Sequence, residues 1–125
     1  MPAKFERLTP MLNVADVAAS IAWYVSIGFE VLNTFEEDGA PNWAYLRCGG
    51  ADIMVNRRDL PREASLGGNL YIYVDDVDAL WAALEDRVTV SEPLVDQFYG
   101  MRDFWIEDPD GYVLGFGQAI EAPAN

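Results

Sequence analysis

Apolar and polar residues alternate along the opening of the chain and then shift to helical spacing at Val17, Ile21, Tyr24 and Val25. The pattern predicts a strand over Phe5 to Val14 and a helix from Val17 to about Ser26, capped by Asp16 and stopped at Gly28. Phe29 to Phe35, rich in Val, Leu, Thr and Phe, predicts a strand, and Glu36-Glu37-Asp38-Gly39 a turn. Trp43 to Cys48 and Asp52 to Asn56, either side of Gly49-Gly50, predict two more strands. The order is βαβββ.

The same order then returns. Sliding the chain by about 60 residues aligns Val14-Ala15-Asp16-Val17 with Val74-Asp75-Asp76-Val77, and Gly50-Ala51-Asp52-Ile53-Met54 with Asp110-Gly111-Tyr112-Val113-Leu114. The second copy predicts a strand over Asn69 to Val74 and a helix from Val77 to Asp86, capped by Asp75 or Asp76. Val77, Leu80, Trp81 and Leu84 form the apolar side of that helix. Strands near Val88 to Ser91, Arg102 to Glu107 and Tyr112 to Gly117 follow, the last two joined by the Asp108-Pro109-Asp110-Gly111 turn. The expected architecture is a single α+β domain over residues 1–125. Module one spans about 5–56, a linker 57–68, module two about 69–118 and a tail 119–125. The two βαβββ modules are expected to form a curved mixed sheet.

Alternation across a strand sorts the side chains by face. Leu12, Val14, Leu46, Met54, Leu70, Ile72, Val74, Phe104, Ile106, Leu114 and Phe116 are expected to pack on the helices. The opposite face then shows Thr9, Met11, Asn13, Trp43, Tyr45, Arg47, Ile53, Val55, Asn69, Tyr71, Tyr73, Asp103, Trp105, Glu107, Val113, Gly115 and Gly117. Large aromatics there stack flat rings or attract cations, and the two glycines are expected to let a ligand approach the backbone. The same aromatics also suit a second small core or a protein contact.

Composition narrows the chemistry. The 125 residues include 21 acidic and 8 basic ones, for a net charge of −13, which repels nucleic acid and anionic lipid and favours cationic ligands. The absence of histidine excludes histidine triads and histidine-ligated zinc. Met1 to Leu8 does not read as a signal peptide, and no apolar run is long enough to span a membrane. A single cysteine, Cys48, fits a reducing cytoplasm. Asp108 with Asp110, and Asp75 with Asp76, read as turn and cap residues rather than metal pairs. Arg57, Arg58 and Arg62 read as linker charges.

Leu8 to Gln118 resembles the vicinal oxygen chelate superfamily, which includes glyoxalase I, extradiol dioxygenases and the fosfomycin and bleomycin resistance proteins. The run Tyr99-Gly100-Met101-Arg102-Asp103-Phe104 followed by Asp108-Pro109-Asp110-Gly111 is similar to the signature of the glyoxalase/bleomycin resistance group. The resemblance implies the paired-module fold and a homodimer in which the first strand, marked by Pro10, is exchanged between subunits. It places the ligand positions of metal-dependent relatives at Thr9, Val55, Asn69 and Gly115, a set too poor in donors for a divalent ion. No metal or other cofactor is therefore expected, and no catalytic residue is assigned. The branch it most resembles is the metal-free bleomycin resistance proteins, which sequester a bulky cationic ligand in grooves at the dimer interface. By that likeness Trp43, Tyr45, Asn69, Tyr71, Tyr73, Phe98, Tyr99, Asp103, Trp105, Glu107 and Gly115 are candidate ligand-binding residues. Glu36, Glu37 and Asp38 would add to the charge complementing a cation. Two alternatives stay open: an enzyme of the same fold using Asp103 or Glu107 as a metal-free base, and an interaction module whose aromatic face meets a protein.

Overall fold

Two compact βαβββ units, Met1–Leu60 and Pro61–Asn125, make up the chain. The computed structural model describes residues 3–4, 6–57 and 69–121. Phe5, the expected linker from 58 to 68 with Arg58 and Arg62, and tail residues 122–125 lie outside the described residues.

In the first unit, β1 (Met11–Val14) leads into α1 (Val17–Ser26), then β2 (Glu30–Glu37), β3 (Ala40–Cys48) and β4 (Ala51–Arg57). The sheet order is β1-β4-β3-β2, with β1 parallel to β4 and the other pairs antiparallel. The second unit repeats this with β5 (Asn69–Tyr73), α2 (Val77–Leu84), β6 (Thr89–Asp96), β7 (Met101–Glu107) and β8 (Val113–Ala119), in the order β5-β8-β7-β6. The expected paired βαβββ modules are thus present, each carrying its own four-stranded mixed sheet.

Local chemistry sets the element ends. Asp16 caps α1 by accepting from the Ala19 N–H at 3.1 Å, and Asp76 caps α2 by accepting from the Ala79 N–H at 3.0 Å. β1 is shorter than expected because the ladder begins only at Met11. Pro10 has no N–H to donate, although its carbonyl accepts from Met54 N–H at 2.9 Å. Glu36 and Glu37 belong to β2. The turn is narrowed to Asp38 and Gly39, at φ 53° and 80°, as a two-residue hairpin demands. β6 runs on to Asp96, past the expected Ser91, because irregularities in its pairing with β7 on both sides of Glu92 accommodate Pro93.

Each sheet buries one face under its helix. Leu12, Val14, Ala44, Leu46, Ile53 and Val55 are buried in the first unit with Val17 and Tyr24 of α1. Phe104, Ile106, Leu114 and Phe116 are buried in the second with Val77 and Leu84 of α2. Each of the larger side chains contributes about 1.5–3 kcal/mol by leaving water. Val25, expected on the apolar side of α1, faces solvent instead.

One expectation is reversed. Alternation puts Ile53 and Val55 on the open face and Met54 in the core. Leu46 pairs with Ile53 and Ala44 with Val55, so both belong to the buried face, and Met54 pairs with Tyr45 on the open one. The cause is turn length. Arg47 and Asp52 enclose Cys48 to Ala51, whereas the equivalent pair Glu107 and Val113 encloses Asp108 to Tyr112, one residue more. A shift fixed on the second module therefore misplaces β4 by one position, and a one-residue slip exchanges the faces of a strand.

Candidate functional site

The open face of the second unit is built around a buried carboxylate. Asp103 on β7 is fully buried and accepts three side-chain hydrogen bonds. Tyr71 Oη on β5 donates to Oδ2 at 3.0 Å, Tyr99 Oη to the same oxygen at 2.6 Å, and Gln97 Nε2 to Oδ1 at 3.0 Å. Three donors on one buried carboxyl group tie β5, β7 and the β6–β7 loop together. The Tyr99 hydroxyl is pushed up to about 12, first by its bond to Asp103 and then by burial. The Tyr71 hydroxyl is also raised, chiefly by burial and then by Asp103.

The hub presents an aromatic wall. Tyr71 lies edge-on to Tyr73, with centroids 5.1 Å apart, and tilted against Trp105 at 5.4 Å. Tyr73 is 78% exposed and Phe98, edge-on to Tyr99 at 5.2 Å, is 99% exposed. Such surface on a folded chain is suited to contact with a ligand or partner. The hydroxyls of Tyr71 and Tyr99 are already bonded inward, so these two residues offer mainly ring surface.

The expected glycine openings are filled from within. A Cβ at Gly115 would lie 2.7 Å from the Trp105 ring, and one at Gly117 would collide with the Tyr71 hydroxyl. These glycines seat the aromatic wall rather than exposing backbone. Asp103, the expected charge complement or base, lies beneath its three donors, whereas Glu107 and Asn69 are exposed at the rim.

The open face of the first unit carries Trp43, Tyr45 and Arg47 on β3, all half-buried. Across it, Asp52 on β4 accepts from Tyr45 Oη at 2.6 Å and from Arg47 Nε and Nη2 at 2.7 and 3.2 Å. The Asp52 carboxyl is thereby lowered to about 2, by Arg47 first and Tyr45 second, and the Arg47 guanidinium is raised in return. Gln97, Arg7 and the role of Asp52 are not evident from the sequence. Asp52 becomes visible only when β4 is set in its correct register opposite Arg47.

The four residues expected at the relatives' metal-ligand positions are poor in donors for an ion. Thr9 and Asn69 offer only neutral oxygens or nitrogens, Val55 is buried in the core with Met54 in its place on the open face, and Gly115 is covered by Trp105. Among the described residues, no three His, Cys, Asp or Glu side chains gather as a metal cluster. Pro10 is half-buried, and the β1 that follows it pairs with β4 of its own chain.

Two βαβββ units, each with one helix-covered and one open sheet face, define the glyoxalase/bleomycin resistance fold. Residues 6–116 match the Glyoxalase/Bleomycin resistance protein/Dioxygenase superfamily, and the chain belongs to it. A protein of Mycobacterium bovis without assigned function is 34% identical over 127 residues, covering 90% of this chain and 83% of its own. TnmS3, an antibiotic binding protein from Streptomyces sp. CB03234, is 29% identical with a TM-score of 0.73, over 94% of this chain and 98% of that one. A bleomycin-binding protein from bleomycin-producing Streptomyces verticillus, complexed with copper(II)-bleomycin, is 26% identical with a TM-score of 0.73, over 95% of this chain and 99% of that one. Among the described residues no helix is long and apolar enough to cross a membrane.

Proposed function

We propose that the protein binds and sequesters a small molecule bearing a flat aromatic group, without transforming it. The observation that carries this reading is the aromatic wall of exposed Tyr73, Tyr99 and Phe98 with half-buried Tyr71 and Trp105, in which buried Asp103 fixes Tyr71 and Tyr99. A wall fixed before a ligand arrives costs less ordering entropy on binding. The antibiotic-binding and bleomycin-binding relatives of the same fold support the reading.

Binding suits these groups better than catalysis. The two carboxylates considered as metal-free bases are Asp103, which is buried and triply hydrogen-bonded, and Glu107, which is solvent-exposed. Neither combines access to a ligand with a dry environment, as a general base requires. The working form proposed is a cytoplasmic homodimer with the segment at Pro10 exchanged between subunits and the ligand held in a groove where two copies meet. The wholly exposed β2, with Val31, Leu32 and Phe35 on its surface, supplies apolar area for such a contact.

The test is calorimetric titration, with tryptophan emission in parallel, using metal-free bleomycin, copper-loaded bleomycin and neutral 2-naphthol. Saturable binding of any of these, at about one per chain and weakened by Trp105→Ala, is expected. No heat and no change in emission with all three overturns the proposal.

A further inference from the structure

We infer that the open face of the first unit is an anion subsite, in which Arg7 and Arg47 take the carboxylate or sulfonate of an aromatic acid whose ring lies beside Trp43. This rests on the reading of the protein as a small-molecule binder and specifies the ligand chemistry of one face.

Two guanidinium groups share one carboxylate there. Arg47 binds Asp52 through Nε and Nη2, and Tyr45 Oη takes a further position on Oδ2 at 2.6 Å. Arg7 Nη1 stands 3.7 Å from the same oxygen, beyond hydrogen-bond reach, so Asp52 is already supplied with donors when Arg7 approaches. The carboxylate is mostly shielded, with 12% of its side chain exposed, whereas 64% of Arg7 and 40% of Arg47 are exposed. Glu30, the cross-strand neighbour of Arg47 on β2, does not take this cation, which pairs with Asp52 instead. Arg7 and Arg47 balance Asp52 and Glu30 in charge, so what the face offers an acid is unused guanidinium donors.

The geometry also fixes where an acid would sit. Both guanidinium carbons lie 5.9 Å from the Tyr45 ring centroid, so the two cations are gathered around one aromatic ring. The fork of Arg47 is locked by its bidentate bond, which leaves Nη1 to donate elsewhere. Two residues along β3 from Tyr45, Trp43 lies on the same face, paired across the ladder with exposed Phe35. A planar acid thus finds charged donors beside one aromatic residue and an apolar surface beside the next.

The experiment compares 2-naphthoate, 2-naphthol and 2-naphthylmethylamine by calorimetry on the wild-type protein and on Arg7→Gln. Among the described residues Arg7 makes no short hydrogen bond, so the variant is expected to keep the fold, checked by its unfolding midpoint. Naphthoate is expected to bind at least tenfold more tightly than the amine, to weaken with added salt, and to lose about fivefold or more in Arg7→Gln while 2-naphthol binding is unchanged. Equal affinity for acid and amine, or naphthoate binding untouched by Arg7→Gln, overturns the subsite. If none of the three binds but bleomycin does, the subsite fails and the binding function stands. If bleomycin also fails to bind, both fall.

Discussion

The indole of Trp105 on β7 fills the space in front of Gly115 on β8, its direct partner in the ladder, so closely that a Cβ at residue 115 would lie 2.7 Å from the ring. The glycine is required by a neighbouring side chain rather than by backbone conformation. Gly115→Ala is expected to push the indole towards water, shift tryptophan emission to the red and destabilise the fold by about 1–3 kcal/mol, as overpacking does. Emission spectra and urea unfolding check this. An unshifted spectrum would mean that the ring relaxes without leaving its seat.

Gly117 supports Tyr71 in the same way, and through Tyr71 the hub at Asp103. Spectrophotometric titration is expected to show Tyr99 ionising only near pH 12, above the ordinary phenol value. A folded-state value above the ordinary 10 favours the protonated phenol. Its contribution to stability is therefore complete below pH 10 and is lost as pH rises from 10 to about 12. Asp103→Asn, which removes the main cause, is expected to bring Tyr99 back towards 10.

The acid limb has the opposite sign. Asp52 is lowered from 3.8 to about 2, chiefly by Arg47, so its contribution is present at neutral pH and lost as pH falls through that interval. Wild-type protein is expected to lose more stability between pH 4 and pH 2 than Asp52→Asn does, measured as the denaturant midpoint against pH. Parallel curves would show that the pair with Arg47 is too screened by solvent to matter.

The β2–β3 hairpin depends on Asp38 and Gly39 at positive φ. Gly39→Ala is expected to cost about 1 kcal/mol by straining the backbone, while Asp38→Gly is expected to be neutral or stabilising. Thermal unfolding of the two variants checks the order.

The sequence by itself determined the repeat, the helices, their aspartate caps and most of the strands, because these follow from local spacing, capping chemistry and turn residues. Val17 to Ser26 is helical as its pattern predicts, and Asp108 makes the tight turn, accepting from the N–H groups of Asp110 and Tyr112. Most of the open face was legible too, since Trp43, Tyr45, Tyr71, Tyr73 and Trp105 follow from alternation along β3, β5 and β7. Only the tertiary structure decided which face of β4 is buried, because that depends on pairing across a turn one residue shorter than its repeat, not on the strand itself. Tertiary packing alone also turned Gly115 and Gly117 from openings into seats for Trp105 and Tyr71. It enclosed Asp103 under donors from two stretches of chain, Tyr71 on β5 and Gln97 with Tyr99 before β7. Contacts between residues distant in sequence leave no periodic trace in it, and a buried acid and an exposed one are spelled with the same letter.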